Sequence, residues 1–582
     1  MASWSTACLD WRERIVARKS LVPIGPLFPS EAEYALSVFK SLPVTDQPRK
    51  ADGTFPTLGD LCEPWVFDFV GVIFGAYNHE TARRHIRDFL LLISKKNGKS
   101  TIAAGIMITA LVINWRESAE LLILAPTLQV AQNSFVPAKG MAENHPELAK
   151  LLKVADHKRT ITHGVTGATL KVVAAANDVV SGSKASFVLV DELWLFGKRE
   201  HADGMLREAT GGLISRPEGF VIYLTTHSDE QPAGVFKDKL EYFRDVRDGV
   251  IEDPSSLGVL YEWPEEMLEK QAYLKPENWY ITNPNMGKSV DREIIEGEIR
   301  KAQRGEGSTL QIVYAKHLNV EIGLRMRRDR WKGANWWEKR GDKSIASLEA
   351  FMAACDVIVA GVDGGGHDDL YGLALIGRCK ITRDWLLWTR GWVHAMALDL
   401  RPQIASVLRD FAKDGDLVIW GDDQDGVSSG DQDVEDIADI LAKVRDAGLM
   451  PEKFAIGVDA AGLGTLFDAL KQREFSEEQI ASVGSGWRLT GVIHHVERKL
   501  RSNIFTHGAS AFMAWCVGNA KAETKGNAIM ITKQAAGRCK IDPVIAMLNA
   551  AKMMERSPEP AGNGPVSPWD DPNFSLMARS AA

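Results

Sequence analysis

The chain has 582 residues, a formal net charge of -8, and ordinary globular proportions of hydrophobic (45%) and charged (25%) residues. That length exceeds one ordinary core and predicts several domain-sized units, and no apolar run reaches the roughly 18 residues of a membrane-spanning helix. The acidic balance excludes a globally basic nucleic-acid binder, so any DNA contact must use local basic patches. The six cysteines are scattered without a CxxC, which points away from a zinc site or a disulfide framework. The N-terminus lacks an apolar core and a small-residue cleavage site, so the chain is expected to stay in the cytoplasm of the cell that makes it.

In chain order, residues 1–60 read as an N-terminal arm. Over 61–250, short β-branched runs alternate with helical patterns. DFLLLIS, ELLILAP, TLKVVAAA, FVLVDE and GFVIYLTT are the expected strands, and that alternation implies an α/β unit with a parallel sheet. Residues 251–345 are charged and helical in pattern and read as a lid and linker. A second strand-rich unit, 346–556, opens with VIVAGVDGG and ends in a helix at IDPVIAMLNAAKMM. The tail, 557–582, is rich in Pro, Gly and Ser and reads as disordered.

The first chemical signal follows the strand at 90–93. Ser94-Lys95-Lys96-Asn97-Gly98-Lys99-Ser100-Thr101 runs into an apolar helix, the context of a P-loop. Such a loop aims backbone N–H groups at phosphates, Lys99 can neutralise them, and Ser100 can ligate Mg²⁺. Ile93 stands where the first glycine of the full motif belongs. The strand FVLVDE ends in Asp191, which would hold Mg²⁺, and Glu192, which would activate water. VIYLTTHS then places Thr225, Thr226 and His227 at the sheet edge where open α/β sheets bind ligands. ATP with Mg²⁺ is the implied cofactor pair.

The second signal is a set of dispersed acids. Asp363 ends a strand and is followed by Asp368-Asp369, Asp459 ends FAIGVD, and Asp542 opens a helix with Pro543 in its first turn. Singly these are turn and cap residues. Together they can hold two Mg²⁺ or Mn²⁺ ions that activate water and stabilise the leaving oxygen of a phosphodiester.

These residues resemble the large-subunit family of tailed-bacteriophage terminases, closest to its HK97-like branch, over roughly 61–553. EPWVFDFVGVIFG resembles the family's adenine-side motif, keeping Trp65 but carrying Val66 in place of Gln. SKKNGKST resembles the family's P-loop with Lys95 where Arg is usual, which leaves the γ-phosphate role to Lys95 or to another arginine such as Arg207 or Arg216. ITNPNMGKSV, with Asn283 and Asn285, and HLNV near Asn319 fall in family order. GVDGGGHDDLYGLAL, VDAAGLG and KIDPVIA resemble the nuclease motifs, giving Asp363, Asp369, Asp459 and Asp542.

The resemblance implies an ASCE-type P-loop ATPase followed by an RNase H-like nuclease, working as a homo-oligomeric ring on a procapsid portal with a small subunit that selects viral double-stranded DNA. It further implies a viral or prophage protein in a bacterial host. Candidate phosphate contacts are Arg325, Arg327, Arg328, Arg330, Arg498, Lys499 and Arg501. The 17 Trp residues, with Trp336 and Trp337 adjacent, read as packing rather than base-stacking groups. The rival readings are an ATP-dependent DNA helicase, which requires a second RecA-like unit, and an inactive prophage remnant.

Overall fold

The structure is a computed structural model. It describes residues 4–175, 184–199, 202–304, 307–322, 331–364, 370–421, 431–459, 463–484, 486–526, 528–533 and 540–561. The chain divides into two compact units, residues 1–322 and 323–582. No helix among the described residues is long and apolar enough to cross a membrane.

The first unit contains helices α1 (Pro29–Ser41) and α2 (Pro64–Gly75), then β1 (Asp88–Leu92), α3 (Lys99–Ile113), β2 (Glu120–Ala125) and α4 (Leu128–Asn144). Strands β3 (Leu152–Ala155), β4 (Thr160–His163), β5 (Thr169–Ala174) and β6 (Ala185–Val190) follow. The unit continues with α5 (Ala202–Gly211), β7 (Phe220–Thr225), α6 (Gly234–Arg247), β8 (Ser256–Leu260) and α7 (Gly307–Leu318). Eight strands form one sheet in the order β8-β1-β7-β6-β2-β5-β4-β3. The run from β8 to β5 is parallel, and β4 and β3 extend it antiparallel. Strands β6 and β7 are buried along their whole length, which is why they read as unbroken apolar runs instead of alternating ones.

All five strands expected in this unit form. The additional strand β8 lies in the segment read as lid and linker. It pairs with β1 from Ser256↔Asp88 to Leu260↔Leu92, a short fully buried run hidden between charged neighbours. Residues 1–60, read as an arm, contribute packed core. Phe39 of α1 is wholly buried, and a Cβ on Gly105 of α3 would come within 2.7 Å of its ring.

The second unit has strands β9 (Cys355–Gly364), β10 (Leu370–Cys379), β11 (Trp385–His394) and β12 (Leu417–Trp420), helix α8 (Gln432–Asp446), β13 (Ile456–Val458) and β14 (Ile480–Ser482). Helix α9 (Thr490–Arg501), β15 (Phe505–His507), the hairpin β16 (Ala520–Lys525) and β17 (Ala528–Lys533), and α10 (Asp542–Met554) follow, among further helices. Its main sheet runs β12-β11-β10-β9-β13-β14, with β15 also pairing β11. Strands β9, β10 and β11 form an antiparallel meander, and β13 then joins β9 in parallel. This is an RNase H-like mixed sheet, not the parallel sheet that a second RecA-like unit would need.

Helix α10 lies close across β9 and β10 because two strand positions lack side chains. A Cβ on Gly361 would fall 2.0 Å from the Ala546 carbonyl, and one on Gly372 would fall 2.7 Å from the Pro543 nitrogen. Asn549 Nδ2 donates to the Val362 carbonyl at 3.0 Å, fixing the helix along the strand. The first residues of the tail read as disordered are docked, since the Ala561 N–H donates to the Met450 carbonyl at 2.8 Å. The rest of that tail, 562–582, lies outside the described residues.

Candidate active sites

In the first unit β7 lies between β1 and β6, so three loops meet at the C-terminal edge of the sheet. The P-loop leaves β1 through Ile93, whose N–H donates to the Thr225 carbonyl at 3.1 Å. A buried strand extension therefore occupies the position where the full motif has glycine. Lys96 (φ 71) and Gly98 (φ 80) turn the chain through left-handed conformations immediately before α3. This turn presents the first-turn N–H groups of α3, with Ser100 and Thr101, at the loop mouth. Lys99 is buried, and its Nζ donates to the carbonyls of Ile93 and Ser94 at 3.3 Å. Burial lowers its pKa, opposed by the nearby Glu192 and Asp191.

The loop is held from behind by the NPN segment, a role that family order alone did not reveal. Asn97 Nδ2 donates to Asn283 Oδ1 at 2.9 Å, while Asn285 donates from its backbone N–H to Asn97 Oδ1 and from Nδ2 to the Asn97 carbonyl, both at 3.1 Å. Trp65, expected on the adenine side, donates from Nε1 to Asn285 Oδ1 at 2.8 Å and is buried. Its hydrogen bond thus bears on the P-loop through Asn285. Val66 is wholly buried in the apolar helix α2.

Asp191 and Glu192 follow β6. Ser134 of α4, which sequence reading missed, donates to Asp191 Oδ2 at 2.8 Å, while Asp191 Oδ1 is buried without a hydrogen-bond partner among the described residues. Burial and the adjacent Glu192 push Asp191 up to about 6. A buried carboxylate oxygen lacking a donor, on a carboxylate close enough to Lys99 for their charges to interact, suits a divalent cation, so the residues present fit the expected metal. Glu192 adopts a left-handed conformation (φ 52), and its Oε2 accepts from Trp194 Nε1 at 2.5 Å. Thr225 and Thr226 are wholly buried. Thr225 Oγ1 accepts the Trp194 N–H at 3.1 Å, and Thr226 Oγ1 donates to the His227 carbonyl at 3.2 Å.

Beyond the strand end, His227, Glu262 and Glu321 form the one group of three among the described residues whose ligand atoms all lie within 4.8 Å of one another. Two guanidinium groups already compensate this cluster. Glu262 accepts from Arg244 Nε at 2.9 Å and from a terminal nitrogen of Arg247 at 2.7 Å, and Arg244 also pairs with Glu321 at 2.6 Å. Against a burial that would raise it, Arg244 chiefly holds the Glu262 carboxyl well below its usual range. The cluster is an ion-pair hub joining β7, β8 and α6.

The two arginines considered as substitutes for the P-loop Arg lie elsewhere. Arg207 is exposed on α5 and paired with Asp203. Arg216 sits beside Arg87, at the opposite end of the sheet, where Arg87 donates to its carbonyl at 3.0 Å. Lys95 remains at the loop, its backbone N–H donating to the Lys316 carbonyl at 2.8 Å.

In the second unit the sheet register gathers the acids. Val362 and Val458 are partners, so Asp363 and Asp459 leave neighbouring parallel strands side by side. Helix α10 brings Asp542 to the same edge, its Cβ 3.4 Å from where a Gly364 Cβ would lie. Asp542 is buried and Asp363 partly so. Among the described residues, Asp363, Asp459 and Asp542 are not a group whose ligand atoms all fall within 4.8 Å of one another. Burial first, then Asp433 and Asp363, raises the pKa of Tyr371, which locates Asp433 of α8 as a further acid near this edge that sequence reading passed over. Asp369, with Asp368, Asp422, Asp423 and Asp425, lies outside the described residues, as do Arg325, Arg327, Arg328 and Arg330. On α9, Arg498 and Arg501 are exposed, whereas Lys499 is half-buried with its Nζ 4.3 Å from the Trp385 ring. Trp337 is buried and stacked on His507 at 4.1 Å, as packing requires.

Two family models match the chain: the ATPase domain of the terminase large subunit over residues 64–245, and its endonuclease domain over residues 259–557. The chain belongs to the terminase large-subunit family. It is an ATPase and an endonuclease that packages and cuts DNA, and it uses a nucleotide and divalent metal. Solved structures similar to it include the large terminase of bacteriophage HK97, at 16% identity and a TM-score of 0.42, covering 89% of this chain and 99% of that one. The large terminase of a thermophilic bacteriophage, in complex with ADP, is 12% identical, with a TM-score of 0.29 over 81% of this chain and 93% of that one. The large-terminase ATPase domain of Thermus phage P74-26 is 16% identical, with a TM-score of 0.26 over 36% and 89%. No curated protein matches the chain.

Proposed function

We propose that the terminase-family activities divide between the two sheet edges, with ATP hydrolysed at the first and a phosphodiester cut at the second. The observation that carries this reading is the pair of convergences. Lys99, Ser100, Asp191 and Glu192 meet at one C-terminal edge, and Asp363, Asp459 and Asp542 meet at another. Lys99 with the N–H groups of Asn97, Gly98, Ser100 and Thr101 binds the phosphates, Trp65 supports the loop, Lys95 takes the side facing the γ-phosphate, and Thr226 belongs to the segment that responds to it. Ser100 and Asp191 would hold Mg²⁺, which supplies charge neutralisation on the phosphates. Glu192 accepts the proton of the attacking water.

At the nuclease edge Asp363, Asp459 and Asp542, with Asp369 as a further ligand, would hold Mg²⁺ or Mn²⁺ to activate water and stabilise the leaving oxygen. Viral double-stranded DNA is moved into a procapsid by a homo-oligomeric ring of this chain on the portal, after a small subunit selects the DNA, in the cytoplasm of a bacterial host. The exposed Arg498 and Arg501 suit sequence-independent phosphate contact. Glu192→Gln tests the first site. Unchanged binding of a fluorescent ATP analogue with hydrolysis reduced about 10²- to 10⁴-fold is expected, and wild-type hydrolysis would remove Glu192 from the role of base.

A further inference from the structure

A lysine on a helix outside the sheet touches all three loops of the ATPase edge. Lys316, in α7, is 4% exposed, and among the described residues it makes no ion pair. Its Nζ donates to the His227 carbonyl at 2.8 Å and lies 2.9 Å from the centroid of the Trp194 ring, while its own carbonyl accepts the Lys95 N–H at 2.8 Å. The Trp194 indole N–H in turn donates to Glu192, and the Trp194 backbone N–H donates to Thr225.

We propose that Lys316 is a positioning residue for ATP hydrolysis, clamping the Trp194 indole so that its N–H fixes the Glu192 carboxylate. The geometry leaves few alternatives for so buried an amine. An amine over an indole face can direct an N–H at the ring, and the carbonyl of His227 satisfies another of its donors. Glu192 sits in a left-handed backbone conformation, and Trp194, two residues away, donates to its carboxylate. The charged groups around the amine are Asp229, Lys95, Glu192 and Lys198. Burial pushes Lys316 down to about 6, and Asp229 and Glu192 oppose that shift. Lys198 does not duplicate the role, since its Nζ pairs with Asp229 at 2.6 Å and lies 5.3 Å from the Trp194 centroid. Because the backbone of Lys316 holds the P-loop while its side chain holds the base, α7 couples the two halves of the site.

The proposal rests on Glu192 as the base, and its test separates the two. Steady-state ATP hydrolysis and analogue binding by the full chain are compared for Lys316→Met, Lys316→Arg, Trp194→Phe, the Lys316→Met/Trp194→Phe pair and Glu192→Gln. Lys316→Met and Trp194→Phe should each lower kcat roughly tenfold or more with KM for ATP within about twofold, as expected when a base is misplaced and binding is not. The double variant should be no worse than the more damaged single one, and Lys316→Arg should restore part of the loss. Unchanged kcat in either single variant, or losses that multiply in the pair, would overturn the clamp while Glu192→Gln remains inactive. If Lys316→Met does not fold, Trp194→Phe alone decides, since it keeps an aromatic side chain at the position while removing the indole N–H. Hydrolysis surviving in Glu192→Gln would instead remove the underlying assignment of the base.

Discussion

At the scale of single residues, buried polar side chains do most of the shaping, because each must find a partner and so fixes a neighbour. Asn285 joins Trp65 to the P-loop through three hydrogen bonds. Asn285→Ala leaves a buried indole N–H and a buried carbonyl unsatisfied. We expect a stability loss of about 1–3 kcal/mol and a raised KM for ATP, measured by denaturant unfolding and steady-state kinetics.

His507 offers a pH-dependent case. Its Nε2 donates to the Trp337 carbonyl at 2.8 Å, and its Nδ1 accepts the Ala509 N–H at 3.2 Å, an arrangement that only the neutral ring can make. Burial pushes His507 down to about 4. Because the folded value lies below the unfolded one, the stabilisation is complete above roughly pH 6.5 and is lost as pH falls toward 4, by at most about 3 kcal/mol. Replacing His507 by Gln should flatten the stability profile of the second unit in that window, and an unchanged slope would refute the assignment. Sequence alone singled out neither residue for these roles, since Asn and His carry no periodic signal and the partners Trp65, Asn97 and Trp337 are over a hundred residues away.

At the scale of elements, the legible parts were those with uniform chemistry. Strands β6 and β7 announced themselves as unbroken apolar runs ending in functional groups, and the helix start at Asp542-Pro543 followed from proline's preference for a first turn. Strand β8 was missed because five buried residues give too short a run to separate from a helical segment by periodicity. Strands β3 and β4 were missed because they are four residues long and partly exposed. The docking of α10 depends on Gly361 and Gly372, which look like ordinary glycines in a strand until the helix is placed. Gly361→Val should push the Ala546 carbonyl, and with it α10, away from β9, lowering the thermal midpoint of the second unit and abolishing cutting while ATP hydrolysis continues. Normal cutting by a folded Gly361→Val chain would show that the helix does not need this approach.

At the scale of the whole molecule, the net charge of -8 gave no hint of a DNA partner. That information sits in motifs placed at sheet edges and in matches that together span residues 64–245 and 259–557. The order of a P-loop unit with a parallel sheet followed by a second, acid-bearing strand-rich unit was readable from the residues, whereas the RNase H-like fold of the second was implied only by the family resemblance. The coupling of α7 to the P-loop and the ion-pair hub at Glu262 were not readable, since they join segments by hydrogen bonds that leave no local pattern.

The central claim is that two chemically separate sites reside in one chain. The most direct measurement incubates the purified full chain with supercoiled plasmid in EDTA, Mg²⁺ or Mn²⁺ while recording ATP hydrolysis in the same samples, alongside Asp363→Ala and Asp542→Ala. Metal-dependent cutting that disappears in both variants, with hydrolysis of ATP within about twofold of the parent, is the expected result. Cutting that persists in both variants, or hydrolysis that falls together with cutting, would contradict it.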